Sequence, residues 1–233
     1  MAIGPLSIVI ATHRENTQGF LHKMARLYPK DDKIQYVIVD SGLTDGKVFA
    51  SMRRPDFKVL ELENSNRAER LAHGFAKSTG AMVLFNHPRS LVDPKALNFL
   101  ATEGSSLLWG GLTHKFDRRS LGLRWTSWYS NRVRPRLWRV VYLDHAIFFQ
   151  RHLLDQPIPP ISIFEDTEIS KILARHGRPS ILPFVSETSA IRFEAHGFWK
   201  QALTNQRLKL AYHLGFSKTK MNQVYEKKLN LNE

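Results

Sequence analysis

The chain opens on Leu6-Ser7-Ile8-Val9-Ile10-Ala11-Thr12, a short, nearly continuous apolar run rich in β-branched residues. Such a run reads as a strand covered on both faces, the pattern of a parallel sheet. A helical spacing follows, with Phe20, Leu21, Met24 and Leu27 on one face and Pro29 closing the segment. Residues 34–39 form a second buried strand, and Asp40-Ser41-Gly42 with Thr44-Asp45-Gly46 marks a turn behind it. Residues 57–62 read as a third strand. Asn66 is placed to cap a helix that runs through Leu71, Phe75 and Ala76 and stops at Gly80, and residues 81–85 read as a fourth strand.

Strands alternating with helices at this spacing predict parallel βαβ units and a doubly wound α/β sheet. Ligands of such sheets bind beyond the carboxyl ends of the strands. Segments 12–15, 40–45, 64–67 and 86–90, the polar tips of apolar strands, are therefore expected on one rim. The second half is less regular. Residues 107–112 and 146–150 look like strands, 165–175 like a helix closed by Gly177 and Pro179, and 198–214 like a long helix before a basic tail of weak structure.

A length of 233 residues without linker, low-complexity stretch or repeat fits one domain. Cysteine is absent, which excludes disulfides, thiolate zinc sites and a cysteine nucleophile and fits a reducing compartment. The first residues lack the pattern of a signal peptide, and no apolar run approaches the roughly 18 residues of a membrane helix. A cytoplasmic protein is expected, with peripheral attachment to a membrane through charge as the exception. That charge is large: 34 Lys and Arg stand against 21 Asp and Glu, formally +13. It favours anionic partners, without choosing among nucleic acid, phosphate-rich substrates and an anionic bilayer.

Several segments together resemble family 2 glycosyltransferases of the GT-A fold. Residues 7–15, ending Ala11-Thr12-His13-Arg14-Glu15, are similar to that family's opening strand and loop. Val39-Asp40-Ser41-Gly42 with Thr44-Asp45-Gly46 is similar to its second-strand acidic turn. Asn66-Arg67-Ala68, Gly74 and Thr79-Gly80-Ala81 resemble the helix and strand that lead to its metal motif. Tyr142-Leu143-Asp144-His145 resembles an acceptor-side strand of a small bacterial subgroup, and Phe164-Glu165-Asp166 with Gly177-Arg178-Pro179 its catalytic acidic helix. The likeness spans about residues 6–215. It implies a mixed, mainly parallel sheet flanked by helices, with a nucleotide-binding half at about 1–90, an acceptor half at about 91–215 and a tail at 216–233.

The implied reaction is transfer of a sugar from a nucleoside diphosphate sugar, with inversion, to an acceptor. Thr12 and Glu15 then match donor-pocket positions, and Asp40 the carboxylate that contacts the base, where it would accept from a ring N–H. Asp40 also reads as a turn residue that bonds its own loop. Arg67 matches a position near the nucleotide, and equally reads as a solvated arginine at a helix start. Asp166, with Glu165 beside it, matches the base that takes the acceptor proton. Acidic residues at a helix N-terminus are also favoured by the helix dipole alone.

One departure matters. Where the family carries an Asp-x-Asp motif for a divalent cation, this chain reads Asn86-His87-Pro88-Arg89-Ser90. Mg²⁺ and Mn²⁺ prefer hard oxygen ligands, so no metal cofactor is expected. Either Arg89, with His87 beside it, clamps the diphosphate directly, or the chain is a catalytically degenerate relative that binds a partner or an anionic surface.

Arginines at 118, 119, 124, Arg132, 134, 136 and 139 are interleaved with Trp125, Trp128, Tyr129 and Trp138. With Asp144, Trp125, Trp128 and Arg132 are expected on the acceptor side, where a lipid-linked phosphate at a membrane surface is one candidate. The same residues could track nucleic acid, although no nucleic-acid motif accompanies them. They also fit an ordinary helix with core tryptophans and solvated arginines. No zincin spacing among the ten histidines and no serine in a nucleophile elbow is found, which removes the hydrolase alternative.

Overall fold

The computed structural model describes residues 6–16 and 19–226. In chain order the elements are β1 (Leu6–Thr12), α1 (Phe20–Leu27), β2 (Ile34–Asp40), α2 (Gly46–Ser51), β3 (Phe57–Glu61), α3 (Arg67–Lys77), β4 (Met82–Asn86), β5 (Ser90–Val92), α4 (Pro94–Thr102), β6 (Trp109–Phe116), α5 (Leu121–Arg132), α6 (Arg134–Trp138), β7 (Ile147–Gln150), α7 (Glu165–Leu173), β8 (Ser180–Thr188), α8 (Ile191–His196), α9 (Phe198–His213) and α10 (Lys218–Glu226). The strands form one sheet in the order β3-β2-β1-β4-β7-β6-β8-β5. The first four are parallel, as expected; β7 runs antiparallel to both its neighbours, and β5 to β8.

Alternation along β1 divides the core. Leu6, Ile8 and Ile10 face α1 and α4, packed with Met24, Tyr36, Leu84 and Leu97. Val9 and Ala11 face α3 and α7, packed with Leu71, Phe85, Trp109 and Ile169. Each such side chain contributes about 1.5–3 kcal/mol by leaving water. Gly74 lets α3 lie close on the sheet: a Cβ there would stand 2.4 Å from Val9 Cγ1 and 3.1 Å from Val39 Cγ2. The N-terminus of α3 is fixed by a reciprocal cap, with Asn66 Oδ1 accepting from Glu69 N–H and the Glu69 carboxylate accepting from Asn66 N–H. Helix packing and cap together hold Arg67 at the rim.

Several expectations shift. The turn after Asp40 continues into α2, because the Asp45 carboxylate accepts from Lys47 N–H and starts a helical turn. Leu27 faces solvent, and Ala25 takes its place against the core. The strand expected at 107–112 lies at Trp109–Phe116, and β5, α4 and β8 were not foreseen. Within the tail expected to be weakly structured, α10 packs Met221 against Leu208 and Ile163; residues 227–233 lie outside the described residues. Among the described residues, no helix is long and apolar enough to cross a membrane.

Candidate functional site

The carboxyl ends of β1 and β2 are tied together by side chains. Asp40 is buried, and its carboxylate accepts from the Thr12 hydroxyl at 2.7 Å, the Thr44 hydroxyl at 2.6 Å and the backbone N–H groups of Gly42 and Thr44 at 2.9 and 3.2 Å. All four lone-pair sites are thereby taken. In this loop conformation Asp40 organises the rim, and a base N–H would have to displace one of these donors. Gly42, at φ +78°, makes the turn possible. Thr44 also accepts from Glu15 N–H at 3.1 Å. Burial raises the Glu15 carboxyl to about 7, against the pull of Arg89. His13, buried and bonded through Nδ1 to Ser41 Oγ at 2.9 Å, is lowered to about 4 by burial and by Arg70 and Arg14, so it is neutral. His13, Ser41, Leu43 and Asn64 line a cavity of about 560 Å³.

The rim of β4 carries positive charge. Arg67 is not solvated: its Nε pairs with Glu165, whose side chain is 0% exposed, and its Nη1 lies 3.2 Å from His87 Nε2. His87 Nδ1 is 3.1 Å from the Arg89 N–H. A neutral imidazole has one acceptor nitrogen, so only one of these two contacts is a true hydrogen bond. Burial, and then Arg67, Arg89 and Arg192, depress the His87 pKa far below its ordinary value. Three guanidiniums thus surround the segment where the sequence resemblance implied a metal motif. A ring whose nitrogens face an arginine and a backbone donor, set among three cations, does not fit a divalent ion. Among the described residues, no group of three or more His, Cys, Asp or Glu could hold one.

Beyond this rim opens a cavity of about 1010 Å³. Arg67, His87, Arg89, Asp144, Asp166 and Trp125 all line it. Asp166 accepts from Leu143 N–H at 3.4 Å and Thr167 N–H at 2.7 Å. Burial, and then the neighbouring Glu165 and Asp144 carboxylates, push its pKa well above the usual carboxylate range, against the pull of Arg67. Glu165, by contrast, has no surface on the cavity and holds Arg67 from beneath. Phe164, at φ +66°, turns the chain sharply into α7 and packs its ring, tilted, against Tyr212 with centroids 4.8 Å apart. The main chain of Asp144 is pinned by the Ser186 hydroxyl at 2.7 Å.

Trp125 and Trp128 are not core residues. They are 63% and 49% exposed and stack on each other at 4.8 Å, while Arg132 on the same helix faces solvent away from the cavity. The cavity wall also carries Arg134 and Tyr142, which the sequence placed in the basic stretch and the acceptor-side motif, and Arg192 and Lys209, which sequence reasoning missed. Lys209 sits toward the end of α9 between Leu208 and Leu210, where nothing local marks it.

No protein-family model matches the chain, and no curated protein matches it in sequence. Solved structures do. A crystal structure of S. aureus TarS 1-349 in complex with UDP-GlcNAc superimposes with a TM-score of 0.59 at 18% identity, covering 79% of this chain and 58% of that one. Mannosyltransferase PcManGT from Pyrobaculum calidifontis, in complex with GDP-Man and Mn²⁺, gives a TM-score of 0.62 at 18% identity, covering 98% of this chain and 65% of that one. The chain thus spans less than two thirds of the length of either. The fold is of the GT-A glycosyltransferase type, a mixed, mainly parallel sheet flanked by helices.

Proposed function

We propose that the protein transfers a sugar, with inversion, from a nucleoside diphosphate sugar to an acceptor hydroxyl. The observation that carries this reading is Asp166, a carboxyl of raised pKa, in one cavity with the Arg67–Arg89–Arg192 cluster at the strand ends of a GT-A sheet. Fold likeness to structures holding UDP-GlcNAc and GDP-Man supports the choice of donor class.

In this reading the nucleoside lies in the smaller cavity, against the loop that Thr12, Glu15 and Asp40 organise. The diphosphate extends toward Arg89. Asp166, ionised, takes the proton of the acceptor hydroxyl as its oxygen attacks the anomeric carbon; the bond to the diphosphate breaks on the opposite face. Negative charge then grows on the leaving oxygen, and fixed guanidiniums stabilise it there in place of a metal ion. The acceptor approaches past Asp144 and the exposed tryptophans, whose basic surroundings suit an anionic membrane surface.

Loss of the acidic motif favours a second reading, a relative that binds the nucleotide without transfer. Thermal shift with UDP, GDP and their sugars, with and without EDTA, tests the donor site. Absence of any shift at saturation would overturn both readings; a shift without turnover of the sugar would select the second.

A further inference from the structure

The large cavity carries more positive charge than a nucleoside diphosphate requires. Five cations line it, Arg67, Arg89, Arg134, Arg192 and Lys209, against two carboxylates, Asp144 and Asp166. Three of them gather about His87 at the donor rim. The other two gather about Tyr142: the Arg134 guanidinium lies 3.9 Å from that ring's centroid and Lys209 Nζ 6.0 Å.

Arg134 is held rigidly in a buried place. His145 Nδ1 lies 2.9 Å from the Leu112 carbonyl and must carry the ring proton, so Nε2 accepts from the Ser130 hydroxyl at 2.8 Å. The serine oxygen in turn accepts from Arg134 Nη1 at 2.5 Å. That neutral hydroxyl is the one protein acceptor Arg134 reaches among the described residues, although it is only 6% exposed. Neither Arg134 nor Lys209 forms an ion pair with a carboxylate among the described residues. Burial, and then Arg134, push the Lys209 amine down to about 8, with Asp166 pulling it back. A buried and a half-buried cation that repel each other, with donors to spare, are a site built for an anion.

We propose that Arg134 and Lys209 form a phosphate subsite beside Asp166, which selects an acceptor bearing a phosphate group. The word acceptor rests on the sugar-transfer reading; the anion site itself does not. The cavity mouth, where Trp125 and Trp199 are 63% and 83% exposed, suits an apolar or aromatic substituent next to that phosphate.

The test uses the full chain and phenyl phosphate as probe, first alone and then with UDP or GDP at saturation to block the donor rim. Phenyl phosphate should bind the parent, bind Lys209→Met at least tenfold more weakly, and regain affinity in Lys209→Arg, while nucleoside diphosphate affinity changes less than twofold. Equal binding to parent and Lys209→Met, or no binding to the parent, overturns the subsite. Lys209-dependent binding of phenyl phosphate in a parent that binds no nucleotide leaves the subsite standing and removes the sugar-transfer reading. Competition by phosphatidylglycerol vesicles but not phosphatidylcholine vesicles assigns the phosphate to a lipid headgroup. Lys209-dependent binding with no competition from either assigns it to a soluble acceptor; both results support the subsite.

Discussion

Arg67 and Glu165, each the first residue of its helix and 98 positions apart in the chain, meet as a buried ion pair that joins α3 to α7. The pair sets the strand-end rim at Arg67 against the helix that carries Asp166. Removing one partner strands the other charge in the interior, which costs about 3–5 kcal/mol; removing both together costs much less. Arg67→Met and Glu165→Gln should each destabilise the protein by about 3 kcal/mol in urea unfolding, and the double variant by clearly less than their sum. Additive losses would show that the pair is not coupled.

Glu15 gives a pH dependence of definite sign. Its carboxyl titrates at about 7 in the fold against an ordinary 4.5. The folded state therefore holds the proton more tightly, and this group removes stability as pH rises from about 4.5 to about 7. Glu15→Gln should accordingly stabilise the protein above pH 7 by about 1–2 kcal/mol once solvent screening is allowed for, seen as a higher melting temperature, and should change little at pH 4.5. A gain of equal size at both values would remove the ionisation argument.

Arg89→Ala should weaken nucleoside diphosphate binding about ten- to a hundredfold, the scale of a charge-assisted pair in a partly buried site. The parent's affinity should be unmoved by EDTA or added Mn²⁺. Calorimetric titration in both conditions decides the matter, and a strict Mn²⁺ requirement would count against direct clamping by arginine.

Asp166→Asn should leave nucleotide affinity within about twofold and lower sugar turnover by at least about 10²-fold. In the parent, kcat should rise with pH through the elevated Asp166 pKa, because the base acts in its ionised form. An acid limb that persists in the asparagine variant would assign that ionisation to another group.

Trp125 and Trp128 present their stacked rings to solvent, so replacing both with alanine should alter stability by no more than about 1 kcal/mol. If the basic aromatic face meets an anionic membrane, the same variant should lose most of its binding to phosphatidylglycerol vesicles. A large drop in melting temperature would return these residues to a structural role.

The first half of the fold was legible because its signals are local. The runs of β1, β2 and β4 are apolar on both faces, and Asn66 with Glu69 forms a cap within four residues. β8 was not legible: Pro183 interrupts Ser180–Thr188, and proline argues against a strand. The sheet accommodates it with a register shift, since Leu112 pairs with Leu182 but Thr113 pairs with Val185. The three-residue β5 is too short to show a period. Within the site, the rim segments of β1, β2 and β4 could be placed from strand ends alone. The division of labour between Glu165 and Asp166 could not, because it depends on a partner 98 residues away.

The wall that bears Lys209 is made late in the chain and rests on a small apolar cluster of Ile163, Leu208 and Met221. During synthesis the parallel strands can settle before α9 and α10 have left the ribosome, so the strand-end rim precedes the wall that faces it. Substitutions in these last helices also disturb few core contacts. A lineage could thus redraw the cavity wall carried by α9 and α10 while the ends of the parallel strands stayed as they were.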